Sequence, residues 1–69
     1  MTLHALRAYR LAKGLSQAAL ARKVGVHRIT VTRWELGVQQ IDPDQLAKIA
    51  RVTGIPAALL RPDLAKVFG

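Results

Sequence analysis

Apolar residues recur along this chain at intervals of three and four, in short runs that glycine or proline closes. Leu3 and Leu6 share a stripe with Arg10, and Leu11 extends it. Leu20, Ala21 and Val24 form a second stripe, and Leu46, Ile49 and Ala50 another. Spacing of this kind is that of one helix face, and no stretch keeps the strict alternation of a half-buried strand. Gly14, Gly25, Gly37 and Gly54 each fall just past such a run, where a helix end favours a residue free to adopt positive φ. The pattern predicts five short helices. The first spans Leu3 to Lys13 with Thr2 as its N-cap. The second starts after Ser16 and runs from Gln17 to Val24. The third covers Arg28 to Leu36. The fourth begins with Asp42 as N-cap, Pro43 in the first position and Gln45 placed to bond back, and it ends at Gly54. The fifth follows Ile55 through Pro56, Ala57, Leu59 and Leu60, and Arg61-Pro62 breaks it. The tail from Leu64 to Phe68 has room for one more turn.

Composition narrows the function. A chain of 69 residues is one domain, 1–69, and at this length only about 60% of the unfolded surface is buried. Eleven Lys and Arg against four Asp and Glu give a net charge of +7, while 51% of residues are apolar. This is a basic chain that folds, not a disordered tail. It has no cysteine, and its histidines, His4 and His27, lie far apart, so neither a disulfide framework nor a metal centre is expected. No apolar run approaches the ~18 residues of a membrane span. The segment Met1 to Lys13 lacks the continuous apolar stretch of a signal peptide. A cytoplasmic location is expected. There is no Ser/His/Asp arrangement, phosphate-cradling glycine loop or carboxylate pair suited to catalysis, and Asp42 and Asp44 serve helix capping and the helix dipole. The chain therefore reads as a non-enzyme without a cofactor. A basic excess on a folded domain points first to nucleic acid, with a merely solvated surface as the alternative.

The densest signal lies between Gln17 and Trp34. Two short helices are joined by Gly25-Val26, too tightly for an ordinary antiparallel hairpin, so they must cross steeply. Ala21 is small where they approach, Gly25 makes the turn, Val26 fills the junction, and Leu20, Val24, Val31 and Trp34 face inward. This describes a helix-turn-helix over about 17–36. On an ideal wheel with Arg28 at zero, Thr32 falls near ~40°, Ile29 near ~100° and Arg33 near ~140°, while Trp34 and Val31 fall near ~240° and ~300°. Two guanidinium groups, a threonine and an isoleucine therefore share the outward face. Arginine forms paired bonds with guanine O6 and N7, isoleucine packs on a thymine methyl, and threonine can do either.

The stretch LSQAALARKVGVHRITVTRWELG, Leu15 to Gly37, resembles the phage repressor and Cro (XRE-type) family of helix-turn-helix regulators. Gln17, Leu20, Ala21, Gly25, Val31, Trp34, Glu35 and Gly37 match together, and the likeness extends through IDPDQLAKIARVTGI, Ile41 to Ile55. The resemblance implies an all-α, lambda-repressor-like domain, bacterial or phage-encoded, that binds double-stranded DNA at the nucleoid and regulates transcription, most simply as a repressor. It implies that Arg28, Ile29 and Arg33, with Thr32 beside them, read bases. It implies that Gln17 touches phosphate and can also buttress the recognition helix, and that Gln39 and Gln40 run beside a phosphate. It also implies that Arg10 pairs with Glu35, the only glutamate, and clamps the first helix to the third.

Other cations are less specific. His27 is either a phosphate donor or a poor N-cap. Lys13, Arg22 and Lys23 either approach the DNA backbone or are simply solvated. One such module covers few base pairs, and regulators of this class dimerise on a palindromic operator. The segment 55–69 is the stretch left to provide a dimer surface, with Leu59, Leu60 and Phe68 as its candidates, unless these residues close the core instead. The competing function is a protein-interaction module of the antitoxin type that also binds its own promoter.

Overall fold

The computed structural model describes residues 4–64. Five α-helices follow in order: α1 (Ala5–Ala12), α2 (Gln17–Val24), α3 (Arg28–Leu36), α4 (Pro43–Thr53) and α5 (Ala57–Leu60), with a single 3-10 turn over Pro62–Leu64. The described residues contain no strand. This is the all-α, five-helix order expected from the sequence, with α2 and α3 as the pair joined at Gly25. Thr2, Leu3, Val67 and Phe68 lie outside the described residues.

The local chemistry of the helix ends accounts for most of these boundaries. Ser16 caps α2 by accepting the Ala19 N–H at 3.0 Å. At the other end of α2, Gly25 sits at φ +78°, and the N–H groups of Gly25 and Val26 both reach the Ala21 carbonyl. A Cβ at this glycine would lie 2.9 Å from the Lys48 Nζ of α4. Gly37 closes α3 at φ +77°, and Val38 N–H returns to the Arg33 carbonyl at 3.1 Å.

Two expected caps take another form. His4 caps α1, its Nδ1 accepting the Leu6 N–H at 3.1 Å. Asp42 occupies the cap position of α4 but makes no side-chain bond there, and Gln45 reaches it through its backbone N–H at 2.9 Å. Pro43, with its φ already helical and no N–H to satisfy, opens the helix.

The core comprises Leu6, Leu20, Ala21, Val24, Val31, Trp34, Ile41, Leu46, Ile49 and Leu60. Burial of each of its larger side chains stabilises the fold by about 1.5–3 kcal/mol before entropy is counted. Leu11 is not part of it and is 54% exposed. Five residues on from Leu6, it points roughly 140° away from that stripe. Tyr9, three residues on, packs against the core in its place. Ile41 is a core residue outside any helix. Its carbonyl accepts Arg61 NH1 at 2.6 Å, and Arg61 is paired in turn with Asp63, which ties the chain beyond α5 to the approach to α4.

Candidate nucleic-acid interface

Helix α3 is divided lengthwise. Val31 and Trp34 are fully buried and fix its inner side. Arg28 and Arg33 are exposed on the other side, and Ile29 between them is 48% exposed. Thr32 is half-buried on the flank facing the start of α2. The helix has no acidic residue in its first turn, so its exposed N-terminal N–H groups and the neighbouring guanidinium of Arg28 favour an anion.

A hydrogen-bonded chain runs from α1 across α3 to α2. Arg10 donates from Nε to Glu35 Oε2 and from NH2 to Oε1, both at 2.9 Å, and from NH1 to the Leu15 carbonyl at 3.3 Å. Gln17 Nε2 donates to Glu35 Oε1 at 3.3 Å. The Thr32 hydroxyl donates to Gln17 Oε1 at 2.8 Å, with the Arg28 carbonyl, at 3.2 Å, as its other acceptor. The Glu35 side chain is only 4% exposed and that of Arg10 14%. Burial pushes the Glu35 carboxyl up, but the bonds from Arg10 and Gln17 and the charges of Arg10 and Arg7 outweigh it and hold the pKa below the ordinary range. The same pairing raises the Arg10 pKa further. Three elements are thereby fixed relative to one another through one carboxylate.

The remaining sequence-derived candidates distribute as follows. Gln17 sits at the first position of α2 and is half-buried by its bonds to Glu35 and Thr32. His27 occupies the cap position of α3, exposed and without a side-chain cap bond. Gln39 and Gln40 are exposed in the loop that follows α3. Lys13 ends α1, and Arg22 and Lys23 lie in the last turn of α2, all exposed. Lys23 Nζ stands 5.9 Å from the centre of the Tyr9 ring, which draws it toward α1.

Among the dimer candidates, Leu60 must be corrected. It is 1% exposed and closes the core beneath α5. Its neighbour Leu59 is 60% exposed, and Phe68 lies outside the described residues. Sequence reasoning also missed the bond from Thr32 to Gln17. These residues are 15 positions apart, and only the packing of α3 against α2 brings them together.

Two short helices joined through a left-handed glycine, with the second presenting cations outward, make a helix-turn-helix module. A family model described as Helix-turn-helix matches residues 6–60, and no curated protein or solved structure matches the chain. The chain belongs to the XRE/Cro-like helix-turn-helix family and is a DNA-binding transcription regulator whose partner is double-stranded DNA. No helix among the described residues is long and apolar enough to cross a membrane.

Proposed function

We propose that this chain is a sequence-specific repressor of the Cro type that binds a palindromic operator as a homodimer, at the nucleoid of a bacterial or phage-infected cell. The observation that supports this best is the division of α3. Its apolar side is locked into the core while Arg28, Ile29 and Arg33 stand in solvent. An isoleucine left in water beside two guanidinium groups has a use if it enters a groove with them. In the major groove Arg28 and Arg33 bond guanine O6 and N7, and Ile29 packs on a thymine methyl. Thr32 reads from the flank.

Phosphates on either side are taken by Gln17, His27, Gln39 and Gln40, with Lys13, Arg22 and Lys23 adding longer-range attraction. Phosphate contacts set the register, and base contacts select the sequence. Leu59, exposed on α5, is the residue proposed for the dimer surface. Two copies then place their recognition helices about 34 Å apart on one face of the duplex.

Selection of bound duplexes from a random pool at near-physiological salt tests the proposal. It should return a two-fold symmetric site with half-sites centred about one helical turn apart. Recovery of no enriched sequence refutes sequence-specific repression. An enriched site without symmetry refutes the homodimer.

A further inference from the structure

The hydrogen-bonded chain at the root of α3 has a direction, and that direction reaches the DNA-facing side. We propose that Thr32 reads DNA as a hydrogen-bond acceptor only, taking the exocyclic amino group of adenine or cytosine, because Glu35, acting through Gln17, fixes where the Thr32 hydroxyl proton goes. The inference rests on the reading of α3 as the base-reading helix.

Both Glu35 oxygens accept from Arg10, so the group is an ionised acceptor with no proton to offer. Its low pKa keeps it so at neutral pH. Only the amide nitrogen of Gln17 can face such a group, and Nε2 does so at 3.3 Å. The amide oxygen must then face the other way, toward Thr32, 2.8 Å from its Oγ1. An amide oxygen cannot donate, so the hydroxyl does. The other acceptor in reach is the Arg28 carbonyl at 3.2 Å, which also takes the proton. In either arrangement the proton stays within the protein, and only lone pairs remain for a base. A free threonine hydroxyl is ambivalent. This one is not.

The consequence follows from the edges that bases present in the major groove. Adenine offers an N6 amino group and cytosine an N4 amino group. Guanine offers only the O6 and N7 acceptors, and thymine the O4 acceptor and a methyl. A lone pair attracts the first two and repels the acceptors of the others. Thr32 thus complements the arginines, which seek the acceptors of guanine.

The test uses the full chain and its selected operator. Every base pair of one half-site is replaced in turn by the other three, and binding is measured for the wild type, Thr32→Val and Thr32→Ser at one salt concentration. Valine keeps the shape and a methyl but lacks the hydroxyl; serine keeps the hydroxyl. Thr32→Val should lose roughly threefold to tenfold in discrimination at one base pair, the range of a single net hydrogen bond. Thr32→Ser should keep it. The preferred base there should be adenine or cytosine. Its analogue without the amino group (purine or pyrimidin-2-one) should cost the wild type the same factor and the valine variant nothing. Guanine or thymine as the preferred base at that position overturns the proposal. So does a valine variant with wild-type discrimination throughout. If discrimination elsewhere in the half-site survives such a result, the DNA-reading role of α3 stands and only the Thr32 assignment fails. If no sequence preference exists at all, both fall.

Discussion

Replacing Glu35 by glutamine removes one charge and one acceptor oxygen from a site that holds α1, α2 and α3 together. The carboxylate receives two bonds from Arg10 and one from Gln17, and its side chain is 4% exposed. Breaking a buried ion pair by deleting one partner typically costs about 3–5 kcal/mol. Two features reduce that figure here. Glutamine retains one acceptor for Arg10, and Arg10, 14% exposed, recovers some hydration. The expected loss is therefore about 2–3 kcal/mol. In a domain of this size it lowers the melting temperature by about 10–20 °C. Circular dichroism and the fluorescence of the single, buried Trp34 should report the same transition.

The pH dependence gives an independent reading. The folded-state pKa of Glu35 is depressed from 4.5. Its stabilisation is complete above that value and is lost as pH falls through the folded pKa, because the unfolded chain then binds the proton more readily. Wild type and Glu35→Gln should thus differ most near neutrality and converge in acid. Equal melting temperatures at pH 7, or a difference that does not shrink in acid, would refute the account of the clamp.

Three further outcomes are expected. His4 caps α1 through a neutral Nδ1, and burial, partly opposed by the charge of Glu35, lowers its pKa below 6.5; its contribution is present above pH 6.5 and is lost as pH falls below it, so His4→Asn, a neutral cap, should flatten the dependence of the melting temperature on pH below 6.5, and an unchanged slope refutes the role. Leu60→Ala should destabilise the fold by about 2–5 kcal/mol in denaturant titration, whereas Leu59→Ser should leave the midpoint in place and raise the dimer dissociation constant in sedimentation; the reverse pattern would invert their assignment. Arg28→Ala should reduce discrimination at one base pair by about 1–3 kcal/mol, and the wild-type salt dependence should have a log–log slope near about −5 for six phosphates neutralised per dimer; a uniform loss over all base variants makes Arg28 a phosphate contact.

The helices were legible in the sequence because glycine, proline and serine punctuate them, and those residues act locally. Gly25 and Gly37 take left-handed conformations that the spacing of apolar runs already demanded. Harder to read were the features that depend on how elements meet. Ile41 sits between polar residues in a loop, where no periodicity marks it as buried, yet it belongs to the core. Leu59 and Leu60 are adjacent in a helix of four residues, too short for a stripe to show which leucine turns inward. The outward face of α3 followed from helical spacing alone, since Val31 and Trp34 had to point the other way. The Thr32 bond to Gln17 did not, because it depends on the packing of α3 against α2 and on the orientation of an amide.

The lengthwise division of α3 has a consequence for how such a regulator diversifies. Arg28, Ile29 and Arg33 contribute nothing to the buried core, so on the proposed reading exchanging them would change which operator is chosen without eroding the fold. Thr32 is different, being wired to Gln17 and through it to the clamp. On that reading new target sites would be reached through three positions, while the fourth would tie the vocabulary of the helix to the integrity of its scaffold.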